Sequence, residues 1–87
     1  FYDAYKEAVE AKTSREMAGE LLNTVELYVE NHGDYKKTAE QINQHENTVR
    51  YRINRVRSAL GMENDLIRFH ETISIASKLK LLLDDDR

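Results

Sequence analysis

Apolar residues recur along almost the whole chain at the three- and four-residue spacing that puts them on one face of a helix, and no segment shows the strict alternation of a half-buried strand. Proline is absent and glycine stands only at 19, 33 and 61, so the helical period has few breaks. The pattern predicts an all-α, five-helix domain. Phe1, Tyr5, Ala8 and Val9 make the stripe of a first helix from about Asp3 to Lys12. Thr13-x-x-Glu16 has the form of a capping box, whose side chains satisfy backbone N–H groups at both ends of the box. It predicts a second helix running to about His32. Met17, Leu21, Val25 and Tyr28 line its inner face, and Gly33 is expected to take the left-handed conformation that ends it.

Asp34 is suited to cap a short third helix, Tyr35 to Ile42, whose inward residues are Tyr35, Thr38, Ala39 and Ile42. Asn43 follows, and asparagine tolerates positive φ, so the chain is able to reverse after barely two turns. From Glu46 to Leu60 the apolar positions narrow to a single stripe, Val49, Ile53, Val56 and Leu60, stopped by Gly61. A last helix begins near Asn64-Asp65 and carries Leu66, Phe69, Ile73, Ala76, Leu79 and Leu83 on its main face, with the Asp84-Asp85-Asp86 tail expected to fray. A two-turn helix, a tight turn and a longer helix with a narrow core stripe have the form of a helix-turn-helix, whose second helix enters the major groove of DNA. The chain therefore divides into an N-terminal helical pair (1–33), the helix-turn-helix (34–60) and a C-terminal helix (64–83).

With 87 residues, a single core must serve the whole length. There is no cysteine, so stability rests on packing alone, which fits a reducing cytosol. No run of about 18 apolar residues and no signal-peptide pattern is present, and the expectation is a soluble, cytoplasmic protein. The chain opens on Phe1 rather than Met. This suggests a piece of a longer protein, with an N-terminal neighbour such as a sensing domain outside it.

A net charge of -3 taken alone argues against a nucleic-acid partner, but the distribution reverses that reading. Between Lys36 and Ser58 the basic residues are Lys36, Lys37, Arg50, Arg52, Arg55 and Arg57, opposed only by Glu40 and Glu46. A basic island on an acidic body is the footprint of a face that meets phosphate. Asn47, Arg50, Tyr51, Asn54, Arg55 and Ser58 fall away from the core stripe of their helix, and none is acidic. Arginine and asparagine pair bidentately with guanine and adenine edges, while tyrosine adds a phosphate bond or packs on a thymine methyl. A solvated amphipathic helix with a chance basic excess is the plainer reading, and it predicts a face of mixed sign. The rival function is a helical interaction module whose basic face docks on an acidic protein partner. His32, His45 and His70 do not fall at metal-binding spacing, and there is neither a nucleophile–base pair nor a glycine-rich phosphate loop. No enzyme, cofactor or metal is expected. Tyr2, Tyr5, Tyr28 and Tyr35 fit apolar faces and read as core.

Thr38-Ala39-x-x-Ile42-x-x-His45-x-Asn47-Thr48-Val49-x-Tyr51-Arg52-Ile53-x-Arg55-Val56 resembles the C-terminal helix-turn-helix of the PucR/CdaR family of bacterial transcriptional regulators, and more distantly the Fis-type helix-turn-helix. The similarity spans about Leu21 to Leu82. In that family such a domain follows an effector-sensing N-terminal region. Family members usually place an aliphatic residue where Gln44 stands, so a more solvated turn is expected here, and the Met62–Asp65 connection is shorter than theirs. The resemblance implies that His45 caps the recognition helix or touches phosphate, the plainer alternative being a turn residue. Arg52 ties down the turn or reaches a phosphate, and Thr38 and Ala39 read as packing, with a phosphate at the helix start as a second role for Thr38. The combined expectation sets Asn47, Arg50, Tyr51 and Asn54 toward bases and Lys37, His45, Thr48, Arg52 and Arg55 toward the DNA backbone. Ile75 and Leu82 lie off the main face of the last helix, a surplus of apolar surface that suggests a homodimer, the plainer alternative being that it completes a small core.

Overall fold

The computed structural model describes residues 1–85, which form five helices and no strand: α1 (Tyr2–Lys12), α2 (Arg15–Glu30), α3 (Tyr35–Gln41), α4 (Glu46–Ala59) and α5 (Leu66–Asp85). α2 is the centre of the arrangement, touching each of the other four helices, and α4 lies against α1, α2 and α3. The buried set follows the helical stripes: Tyr5 and Val9 from α1, Leu21, Val25 and Tyr28 from α2, Val49, Ile53 and Val56 from α4, and Phe69, Ile73 and Ala76 from α5. Each large aliphatic or aromatic side chain so enclosed contributes about 1.5–3 kcal/mol relative to exposure.

Four residues placed on core stripes by spacing alone are exposed: Phe1, Met17, Leu66 and Leu83. All sit at helix ends, where a periodic position no longer has a neighbouring helix to meet. Phe1 precedes the first turn of α1, and Tyr2 packs on the core instead. In α2 the buried face begins at Ala18, and in α5 it stops at Ala76. α5 continues through Asp85, two residues past the predicted end, and Asp86 of the acidic tail lies outside the described residues.

The cap of α2 also differs from the expectation. Thr13 is the extended residue closing α1, and its hydroxyl donates to the Val9 carbonyl at 3.0 Å. Ser14 therefore takes the capping position, its Oγ accepting from the Met17 N–H at 3.1 Å. At the other end α2 stops at Glu30, and the left-handed residue next to its C-cap is His32 (φ 54°), with Gly33 (φ 82°) after it. The His32 N–H donates to the Val29 carbonyl and the Gly33 N–H to that of Tyr28, the paired bonds of a Schellman motif.

The same pairing closes the two helices of the motif. After α3, Asn43 (φ 55°) donates to Glu40 and Gln44 to Ala39; after α4, Gly61 (φ 69°) donates to Ser58 and Met62 to Arg57. Asp34 caps α3 by accepting from the Lys37 N–H at 3.0 Å. The reversal between α3 and α4 is thus fixed by backbone bonds while the Gln44 side chain stays exposed. Thr38 is fully buried, donating to the Asp34 carbonyl and accepting from Asn31 Nδ2, so it packs and does not face outward. Among the described residues no helix is long and apolar enough to cross a membrane.

Candidate nucleic-acid interface

α4 buries Val49, Ile53 and Val56, and the rotation that does so turns Asn47, Arg50, Tyr51, Asn54, Arg55 and Ser58 outward, all exposed. Thr48, beside the buried stripe, is half-buried, while Lys36 and Lys37 are exposed on the first turn of α3. The short turn at Asn43 and Gln44 keeps those lysines and the start of α4 within one element pair, as a helix-turn-helix requires.

His45 is the N-cap of α4. Its Nδ1 accepts from the Asn47 N–H at 3.0 Å, which leaves Nε2 as the protonated nitrogen of the neutral ring. The cap places a ring N–H donor at the N-terminus of α4, where the helix dipole also favours an anion. Capping and donation to phosphate are compatible in this geometry.

Arg50 is held on three sides. Its guanidinium lies 5.0 Å from the centroid of the Tyr35 ring, Nη2 is 3.9 Å from a Glu46 carboxylate oxygen, and Nη1 donates to Asn47 Oδ1 at 3.5 Å. Sequence reading assigned Tyr35 to the core, where it is partly buried. Its contact with Arg50 was not legible, because nothing in the spacing of residues 35 and 50 says that α3 sets a ring under an arginine of α4.

Two members of the basic island are committed inward. Arg52 donates to the buried Thr24 hydroxyl at 3.2 Å and lies 3.8 Å from the Glu20 carboxylate, its side chain only 18% exposed. The guanidinium is thus tied to α2 rather than to the turn, and it does not stand free on the outer face. Arg57 donates from Nε to the Met62 carbonyl at 3.2 Å and from Nη2 to that of Glu63, closing the connection after α4. Arg55 stays exposed, with one bond to the Lys12 carbonyl at 3.3 Å. The outward cations are therefore Lys36, Lys37, Arg50 and Arg55.

Residues 21–80 match the family described as the PucR C-terminal helix-turn-helix domain. The chain belongs to that family. As a PucR-type helix-turn-helix it is a DNA-binding domain of the transcription-regulator class. The match runs from the second turn of α2 to near the end of α5, so α1 packs against the PucR-type unit from outside the matched range. No curated protein and no solved structure matches the chain.

Proposed function

We propose that this PucR-type domain reads duplex DNA in a sequence-specific manner, with α4 in the major groove. The observation that carries the reading is the outward face of α4. Asn47, Arg50, Tyr51, Asn54 and Arg55 are exposed on it, and the one acid at its start, Glu46, is paired with Arg50. Asn47, Arg50, Tyr51 and Asn54 lie on the first turns, which reach base edges when a helix enters the groove end-on. Lys37, His45, Thr48 and Arg55 flank them as backbone contacts, and Arg52 supports the helix from behind. A fluorescent random duplex titrated at two salt concentrations tests the proposal, since neutralising phosphates releases counterions and gives a steep salt dependence. No binding at low salt sinks it and leaves the basic face to an acidic protein partner.

The domain pairs with a second copy through the end of α5. Ile75, Leu79, Leu82 and Leu83 recur at helical spacing on either side of Ala76 and beyond it, where the described residues hold no further buried position, and Leu82 is 64% exposed. An apolar stripe in that position supports a self-complementary contact, and helix-turn-helix dimers read paired half-sites.

A further inference from the structure

We infer that Tyr35, which lies outside the recognition helix, is a specificity-determining residue that positions Arg50 for a guanine. The inference rests on the assignment of Arg50 to base reading. A cation over an aromatic ring is held by the ring's face, and a guanidinium has five N–H donors in a fork that pairs with guanine O6 and N7. The Tyr35 contact at 5.0 Å therefore restrains where the guanidinium of Arg50 sits, with N–H groups left for a base. The two partners of its N–H groups are weak: the Asn47 bond is 3.5 Å long and the Glu46 pair 3.9 Å, both at the limit of such contacts. Arg50 is thus placed by a ring contact and only loosely engaged by its other partners.

The ring itself is well braced. Tyr35 packs on the buried Tyr28 ring with centroids 5.3 Å apart, and the Tyr28 hydroxyl is bonded to His70 of α5. A side chain on α3 whose position is set from behind by α2 and α5 makes a fixed platform. Arginine is rich in rotamers, and fixing one before binding lowers the entropy lost when it docks.

The test uses the whole chain with a duplex selected from a random pool and its single-base variants at each G·C pair. Tyr35→Leu is expected to lose about two- to fivefold of the preference for one guanine, the range of an exposed cation–ring contact, while its affinity for scrambled duplex holds. Tyr35→Phe keeps the ring and is expected to keep the preference. In an Arg50→Ala background, Tyr35→Leu should have no further effect on preference, a result that a merely structural role for the ring does not produce. Thermal melting of each variant reads folding separately. An equal loss on all duplexes, or a Tyr35→Leu effect that persists unchanged in Arg50→Ala, overturns the inference. If Arg50→Ala itself leaves preference intact, the base-reading assignment fails and the inference with it. If Arg50→Ala flattens the preference but Tyr35→Leu does not, the assignment stands and Tyr35 has no positioning role.

Discussion

The hydroxyl of Tyr28 and Nε2 of His70 lie 2.9 Å apart, joining α2 to α5 directly behind the helix-turn-helix. The other ring nitrogen of His70, Nδ1, is 3.0 Å from the Leu66 carbonyl oxygen, which only accepts, so Nδ1 carries the proton of the neutral ring. Nε2 then accepts, and the Tyr28 hydroxyl donates. The bond needs a neutral phenol.

Burial first, and the neighbouring Tyr35 second, push the Tyr28 phenol from its ordinary 10.0 up to about 12. Burial also raises the Tyr5 phenol. A raised phenol means that the folded state holds the proton more tightly than the unfolded chain. Its contribution is complete below about pH 10 and is lost as pH rises through about 12. Denaturant unfolding followed across this interval should show falling stability, with a shallower fall in Tyr28→Phe. A decline as steep in that variant removes Tyr28 from the explanation.

Asn47 and Arg55 should separate reading from holding. Asn47→Ala is expected to remove about 1–3 kcal/mol of discrimination between the selected duplex and a scrambled one, with nonspecific binding nearly intact. Arg55→Ala should weaken both duplexes alike and make the salt slope shallower by about one. Equal loss on both duplexes for Asn47→Ala would contradict its base-reading role. Circular dichroism checks that each variant is folded.

Arg52 should behave as part of the scaffold. Arg52→Ala removes its bond to Thr24 and its packing on α2, and the Thr24 hydroxyl keeps its own bond to the Glu20 carbonyl. No buried donor is orphaned, so a loss of about 1–2 kcal/mol is expected in denaturant unfolding. The salt slope of DNA binding should not move. Unchanged stability with a slope shallower by about one would make Arg52 a phosphate contact instead.

Gln44 offers a gain. It is the second residue past the C-cap of α3, donating its N–H to Ala39, and a Schellman motif usually has an apolar residue there to pack on the helix end. Gln44→Leu is expected to raise stability by about 0.5–1 kcal/mol, read as a higher denaturant midpoint with unchanged slope. A lower midpoint would show that the side chain finds no apolar surface beside Ala39.

Leu82 tests self-association. The wild type is expected to sediment as a dimer at micromolar concentrations and Leu82→Glu as a monomer, because a charge on the α5 stripe is desolvated at the contact. Two monomers, or two dimers, would place any interface elsewhere.

Periodicity along the chain was enough to locate the helices and most of the stripes they bury. Val49, Ile53 and Val56 at helical spacing fix which side of α4 is core, and hence that Asn47, Arg50, Tyr51 and Asn54 face away; Asn43 marks the reversal and Gly61 the stop, since both need positive φ. These are local quantities, set by periodicity and backbone sterics within a few residues. Only the tertiary structure decided how the charges are divided. Arg52 and Arg55 were both expected toward the DNA backbone, yet one is bound to Thr24 on α2 and the other stays exposed, and Arg50 meets the ring of Tyr35 from another helix. Long basic side chains reach several ångströms beyond their own helix. Their partners are therefore chosen by the packing of α2 and α3 against α4, a relation that spacing along one helix does not encode.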